Sequence, residues 1–300
     1  MQDTKNEIFN GTLSGILNEM REQQSGTATR QDLIKKIQKK NKSKVITYTS
    51  NFNHPAAGIM GDDIVPFAEA LSSIGQTERI DLMINSPGGD PDSAEKIIKI
   101  CRDYCNEFRV IVPNMAKSAA TLIALGTDEI IMGYISELGP IDPQLIISTP
   151  QGSRDRIPAR SITDSWEEME SRIKKEGTIP LIYIPILNNY DLSKLDYCRK
   201  AIDRTKKFAE TWLQKYMFKA DHKKAKEIAE NLADVSTHLS HAKVIDPQDA
   251  IDMGLKINLL DKNNDLWQLI WELYVRSEVN LRSNKAIKLI ETDKISISIN

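Results

Sequence analysis

The sequence predicts an α/β protein built from repeated βαβ units, and three observations lead to this prediction. Short β-type segments alternate with segments of helical periodicity from residue 45 to residue 132. Two successive predicted strands end in loops of small residues, at 86–90 and 117–120. From residue 163 to residue 231 the chain becomes charged and helical. Alternation of this kind indicates right-handed crossovers and a mainly parallel sheet, with a helical elaboration in the C-terminal half.

The elements follow in order along the chain. A lysine-rich, mostly polar segment at 31–44 is interpreted as a solvated helix or linker. The predicted helices span 62–73 and 92–105, and the predicted strands span 45–49, 79–85, 109–112 and 129–132. We divide the chain into a helical lead-in (1–44), a core that carries both small-residue loops (45–160), a helical elaboration (161–235), and a C-terminal part that completes the core and holds a candidate segment for subunit contact (236–300).

Composition agrees with a soluble intracellular protein. A formal net charge of −2 gives no polycationic signature, so nucleic acid is not an expected partner. Three cysteines, Cys101, Cys105 and Cys198, form neither a disulfide framework nor a metal-ligand pattern, and we expect no metal and no cofactor. No segment has the length of a transmembrane helix and the N-terminus lacks signal-peptide features, which predicts a cytoplasmic protein.

Ser118 is the candidate nucleophile. It precedes an apolar run of helix length, so it lies near a helix N-terminus where backbone N–H groups lack intrahelical partners. In the neighbouring loop, Gly88 and Gly89 allow bare backbone to approach closely, and their N–H groups with that of Ala119 form a plausible oxyanion hole. Alone, the serine is typical of a helix N-cap and Pro-Gly-Gly of an ordinary turn. Together, on successive strand ends, they favour covalent catalysis on a carbonyl.

These motifs resemble those of Clp/crotonase-fold serine peptidases. Within that superfamily, residues 116–126, 128–130 and 136–144 are most similar to the serine dehydrogenase proteinase family, which is related to signal peptide peptidase A. The resemblance implies a Clp/crotonase-like fold and an ATP-independent serine endopeptidase that forms an acyl-enzyme on Ser118. It also implies a peptide or protein substrate and a homo-oligomeric assembly.

A serine hydroxyl needs a base to accept its proton. Residues 250–255 resemble the helix end that closes the core in relatives, and in Clp-type peptidases the segment just upstream reaches the catalytic centre. This resemblance implies His241 as the first candidate base and His238 as the second, with His54 third. A serine–lysine dyad is the alternative, although Lys117 is interpreted as a substrate-side charge or a structural cation.

Asp142 lies in residues 139–144, the region that supplies the histidine in Clp-type enzymes and that has none here. It either orients a histidine or caps a turn, and the turn is favoured. Two alternatives to a peptidase also remain: a catalytically silent scaffold or binding module, and a crotonase-like acyl enzyme. The second requires a coenzyme A pocket, and no basic cluster adjoins the diglycine turn to hold its phosphates.

Three apolar segments are candidates for subunit contact. Residues 181–184, bracketed by Pro180 and Pro185, cannot form a regular helix interior; they line a substrate groove, lie at a subunit contact, or form a buried loop, which is favoured. Residues 266–274 either form a contact surface or pack on their own domain. Residues 295–299 alternate like an edge strand that pairs with a neighbour.

Overall fold

The structure is a computed structural model, and it describes residues 26–148, 154–188, 191–233 and 243–300. Its strands, in chain order, are β1 (Lys44–Ser50), β2 (Thr77–Asn85), β3 (Cys105–Val112), β4 (Met115–Ala116), β5 (Glu129–Gly133), β6 (Glu137–Leu138), β7 (Gln144–Ser148), β8 (Arg154–Pro158), β9 (Ile257–Leu260), β10 (Lys288–Glu291) and β11 (Ser296–Ile299).

The helices connect these strands. In chain order they are α1 (Gly26–Asn41), α2 (Ile64–Ile74), α3 (Pro91–Tyr104), α4 (Ala119–Leu125), α5 (Ala159–Glu176), α6 (Ile184–Asn188), α7 (Leu192–Lys215), α8 (His222–Ala233), α9 (Pro247–Asp252) and α10 (Asp265–Asn284), with 3-10 turns at Gly61–Asp63 and Leu181–Tyr183.

A seven-stranded sheet forms the centre of the protein, in the order β11-β10-β1-β2-β3-β5-β9. The five strands from β1 to β9 in this order run parallel, and β10 and β11 add an antiparallel edge. The predicted mainly parallel sheet is therefore confirmed. Because parallel strands end at the same edge, the loops after β2 and β3 meet there.

The sheet is buried on both faces, as parallel sheets are when helices cover them. Along β2, Leu82 and Ile84 face the core layer of α2, α3 and α4, whereas Met83 faces the layer of α1 and α10. This alternation follows from the two-residue period of a strand. The strands consequently read as nearly continuous apolar runs.

Helix α3 begins immediately after the diglycine loop, and its first residues explain why. The Asp90 carboxylate accepts hydrogen bonds from the backbone N–H groups of Asp92 and Ser93, and Pro91 occupies the first turn, where no N–H is needed. The Asp90 N–H donates to Ile59 O at 2.8 Å. A rigid helix start therefore fixes one side of the loop.

Three segments that were candidates for solvent exposure or subunit contact pack within the same chain. Helix α1 is not fully solvated, because Leu33, Ile34 and Ile37 are buried on the layer that it shares with α10. Residues 266–274 lie in α10, where Trp267 and Ile270 are buried against the sheet. Strand β11 pairs with β10 of the same chain and forms one edge of the sheet.

The predicted core segment (45–160) ends with a feature that the sequence did not predict, the antiparallel β7–β8 hairpin. The prediction of a buried loop at residues 181–184 is wrong, since Leu181 is 82% exposed and Ile182 is 74% exposed. The two prolines favour a 3-10 turn that leads directly into the short helix α6. Elements this short provide few neighbouring residues that could cover the apolar side chains. Within the described residues, no helix combines the length and apolarity that crossing a bilayer requires.

Candidate active site

Ser118 stands in a sharp turn between β4 and α4. Its backbone angles are φ 50° and ψ −116°, in a region that residues with a Cβ rarely adopt. Such a conformation costs of order 1–3 kcal/mol and persists only where the surroundings impose it. The strain at this serine is thus an observed property of the site, which the residue types alone did not predict.

The surroundings hold this turn from both sides. The Ala120 N–H donates to Lys117 O at 2.9 Å, and the Leu122 N–H donates to Ser118 O at 3.0 Å, which starts helix α4. The buried Thr121 hydroxyl donates to Ala116 O at 2.7 Å and accepts from the Gly139 N–H at 3.2 Å. These bonds offset the cost of the strained turn.

The loop after β2 is bonded directly to the serine turn. Ser86 forms an isolated parallel bridge with Ala116. Its N–H donates to Met115 O at 3.0 Å, and its carbonyl accepts from the Lys117 N–H at 3.1 Å. The structure therefore brings together the two small-residue loops, as expected from their positions at neighbouring strand ends.

Gly88 contacts the serine turn so closely that a side chain has no room. An ideal Cβ on Gly88 would lie 2.7 Å from both Ser118 Cβ and Lys117 O, and 3.2 Å from Ala119 N. On Gly89 it would lie 2.3 Å from the backbone N and O of Ile59. Both glycines have positive φ, 102° and 145° respectively. Glycine is required at each position for conformation and for space.

Two backbone N–H groups, one in each of the paired loops, are candidate oxyanion donors. Within the described ranges, the N–H groups of Gly89 and Ala119 donate to no protein acceptor. The Gly88 N–H instead donates to Ser86 Oγ, with a nitrogen to oxygen distance of 3.3 Å. Gly89 is exposed at the surface. Free N–H groups of this kind suit a developing negative charge on oxygen.

Lys117 points away from the diglycine loop, towards β6. Its Nζ donates to Leu138 O at 3.0 Å and pairs with Glu137 Oε1 at 3.0 Å, with both side chains less than one-fifth exposed. Its aliphatic stem fills the space beside Gly139. This geometry favours the interpretation of Lys117 as a structural cation that joins β4 to β6.

Of the three histidines considered as the base, His54 is the one that lies within the described residues. His54 is exposed, and its Nδ1 accepts a local hydrogen bond from the Ala56 N–H at 3.1 Å. His238 and His241 lie outside the described residues. The flanks of their segment are described: the Ile141 N–H donates to Leu232 O at 3.0 Å, and Ile245 exchanges two backbone hydrogen bonds with Leu138.

Asp142 is buried and follows Ile141 directly. Asp142 is therefore close in sequence to Leu138 and Ile141, whose backbones are hydrogen-bonded to the residues that flank the histidine segment, Ile245 and Leu232. Strand β6 pairs with β4, where Ala116 lies opposite Leu138. Backbone hydrogen bonds therefore connect Ile245 to β6, and strand pairing connects β6 to the residues just before Ser118.

The structure adds polar residues that were not singled out from the sequence. Asn85, at the buried end of β2, accepts from the Met115 N–H and donates to Glu278 of α10. Asn114 donates to the Tyr274 hydroxyl of the same helix at 3.0 Å. Burial raises the pKa of Glu278, and burial also raises the pKa of Tyr274. A buried asparagine ending an apolar strand was the only sequence signal for this network.

The family model described as ClpP-like SDH-type serine proteinase matches residues 13–293. The chain belongs to this family. The predicted Clp/crotonase-like fold and the assignment as a serine peptidase are thereby confirmed.

Several relatives and solved structures are similar to this family member. An uncharacterized protein of Methanocaldococcus jannaschii is 29% identical over 235 residues, which cover 75% of this chain and 72% of the relative. A second uncharacterized protein of that organism is 29% identical over 179 residues, and the match covers 60% of this chain and about half (52%) of the relative.

Among solved structures, a variant of the 1510-N membrane-bound stomatin-specific protease in complex with a substrate peptide has a TM-score of 0.42 at 17% identity, covering 81% of this chain and 83% of its own. ClpP1 from Listeria monocytogenes has a TM-score of 0.42 at 11% identity, covering 76% of this chain and 98% of its own.

Proposed function

We propose that this serine peptidase is an ATP-independent endopeptidase that forms an acyl-enzyme on Ser118. The observation that carries the proposal is the contact between Gly88 and the strained Ser118 turn, flanked by two free backbone donors. A helix N-cap does not require this strain, and an ordinary turn does not require two glycines packed on a neighbouring loop. Preorganised donors beside a fixed hydroxyl suit acyl transfer.

The reaction follows from these positions. Ser118 Oγ attacks the carbonyl carbon of the scissile peptide bond while a base takes its proton, and the carbonyl oxygen becomes negatively charged. The N–H groups of Gly89 and Ala119 donate to that oxygen, and Gly88 keeps the two loops at the required separation. The C–N bond then breaks, the base returns the proton to the leaving amine, and water hydrolyses the resulting ester.

His241 is our first candidate for the base and His238 the second. Ile245, four residues after His241, is bonded to Leu138, and β6 is paired with β4 next to Ser118. Four residues of chain span at most about 14 Å and seven residues about 24 Å, so the shorter distance along the chain to Ile245 supports ranking His241 ahead of His238. Asp142, buried beside the same anchor points, is proposed to orient the imidazole.

A fluorophosphonate probe tests the proposal. The wild-type protein is expected to be labelled, Ser118→Ala to lose labelling completely, and Ser165→Ala, an exposed serine on α5, to be labelled like wild type. His241→Gln should slow labelling by at least about a hundredfold if it is the base, with His54→Gln unchanged. Absence of wild-type labelling would support the scaffold alternative.

ATP independence requires a separate measurement. Cleavage of a quenched fluorescent unfolded polypeptide should proceed at the same rate with and without ATP and Mg²⁺, and Ser118→Ala should abolish it. Cleavage that starts only after ATP addition would contradict this part of the proposal, even where labelling of Ser118 succeeds.

We further propose that the protein is a cytoplasmic homo-oligomer in which the exposed apolar segment 179–184 contacts a second copy. Within it, Ile179, Leu181 and Ile182 are 48%, 82% and 74% exposed. Exposed apolar side chains clustered in this way are typical of protein contacts. Sedimentation at micromolar concentration is expected to show an oligomer that Leu181→Ser with Ile182→Ser dissociates; a wild-type monomer would contradict assembly.

A further inference from the structure

Asn85 connects the two loops of the site. It is the last residue of β2, it is 1% exposed, and it immediately precedes the diglycine loop. Its Oδ1 accepts the Met115 N–H at 3.2 Å, three residues before Ser118. Its Nδ2 donates to Glu278 Oε1, also at 3.2 Å, across 193 residues of sequence.

Glu278 determines which way the Asn85 amide faces. A side-chain amide presents an acceptor on one side and two donors on the other, and reversing it would place its N–H groups against the Met115 N–H. An ionised carboxylate only accepts hydrogen bonds, so Glu278 holds Nδ2 on its own side and leaves Oδ1 for Met115. Arg282, one turn later on α10, bonds the other carboxylate oxygen at 3.3 Å.

Helix α10 is a stable base for this contact. It is buried against the sheet along Trp267, Ile270 and Leu273, and it begins with an Asn264 cap. A second bond, from Asn114 to Tyr274, ties the same helix to the end of β3. The helix therefore supports the carboxyl ends of both strands that lead into the site.

We propose that Asn85 is a positioning residue for the reaction at Ser118, and that Glu278 acts through it by fixing the orientation of its amide. This inference rests on the proposed acyl transfer. The spacing between the oxyanion donors and the Ser118 hydroxyl would then depend on the Asn85 amide. That amide is held by Glu278 of α10, a helix that does not itself take part in the reaction. A misplacement of about 1 Å in such a site costs on the order of a hundredfold in rate.

A swap of hydrogen-bonding groups tests the proposal. Asn85→Asp alone places two carboxylates against each other and should reduce kcat about a hundredfold, with KM nearly constant. Combining Asn85→Asp with Glu278→Gln should restore kcat to within about threefold of wild type, because the new carboxylate accepts from Met115 and the new amide donates to it. Glu272→Ala, on the same helix and paired with Arg276, is the control and should retain wild-type kcat per folded molecule.

Hydrogen exchange of the Met115 amide gives a readout that does not depend on catalysis. Exchange should accelerate at least tenfold in Asn85→Asp and return to the wild-type rate in the swapped pair. Failure of the swap to restore both kcat and protection would overturn the proposal. If the wild type shows neither probe labelling nor peptidase activity while the amide responds as expected, the proposed function fails and the inferred contact remains.

Discussion

Gly88 and Ser118 are packed so closely that an ideal Cβ on the glycine would lie 2.7 Å from the Cβ of the serine. Contacts at that distance between carbon atoms do not occur in folded proteins. The diglycine loop and the serine turn therefore form a single unit, in which a change to one loop moves the other. The first prediction follows from this contact.

Gly88→Ala is expected to reduce fluorophosphonate labelling of Ser118 by at least about a hundredfold, because separating the loops removes oxyanion donors from their position. The new methyl group would clash with the backbone carbonyl oxygen of Lys117, and backbone cannot move aside easily. Gly61→Ala is the matched control, since nothing lies within 4 Å of a Cβ there. Labelling of Gly88→Ala at the wild-type rate would contradict this geometry.

Ser118→Gly is expected to be more stable than Ser118→Ala by about 1 kcal/mol, because only glycine adopts a positive φ of 50° with ψ −116° without a steric cost. Both variants remove the hydroxyl, so neither should be labelled. Urea unfolding monitored by tryptophan fluorescence measures the difference. Equal stability of the two variants would mean that the turn relaxes in the absence of the hydroxyl.

Lys117→Met should lower the free energy of unfolding by about 1–3 kcal/mol, since it removes the ion-pair partner of Glu137 and one of the two donors to Leu138 O in a largely buried site. Labelling of Ser118 should nevertheless persist, within about tenfold of wild type. Lys117→Met with Glu137→Gln should recover part of the stability. Complete loss of labelling in a folded Lys117→Met variant would instead support a serine–lysine dyad.

The buried thiols give a pH-dependent prediction. Burial raises the pKa of Cys105 to about 11, and burial also raises the pKa of Cys101. The unfolded state therefore loses these protons at lower pH than the folded state, and the free energy of unfolding should fall as pH rises from about 9 towards 11.

Two measurements check this behaviour. Chemical unfolding at pH 8 and pH 10 should show lower stability at the higher pH, and the change should be smaller in Cys105→Ala. A thiol reagent at pH 8 should modify the folded protein at less than about a hundredth of its rate with the unfolded chain. Rapid modification of Cys105 in the folded state would contradict the described burial.

The sequence predicted those parts of the site that depend on local conformation. Pro-Gly-Gly and the small-residue turn at Ser118 each limit their own backbone, and alternation of strands with helices places both loops at one edge of the sheet. Lys117 was interpreted as a substrate-side charge or a structural cation, because the side chains of neighbouring residues in a turn usually diverge. The exposure of Leu181 was not predicted, because an apolar segment between prolines does not reveal what covers it.

The amino-acid sequence by itself determined the α/β class, the strand ends that carry Gly88 and Ser118, and the family, because these depend on residue types within short windows. Only the tertiary structure decided that Gly88 touches Ser118, that Lys117 faces Glu137, and that Asn85 is held by Glu278. Contacts of this kind join residues far apart in the chain, and their geometry is fixed by how the helices pack on the sheet, a collective property that no local pattern records.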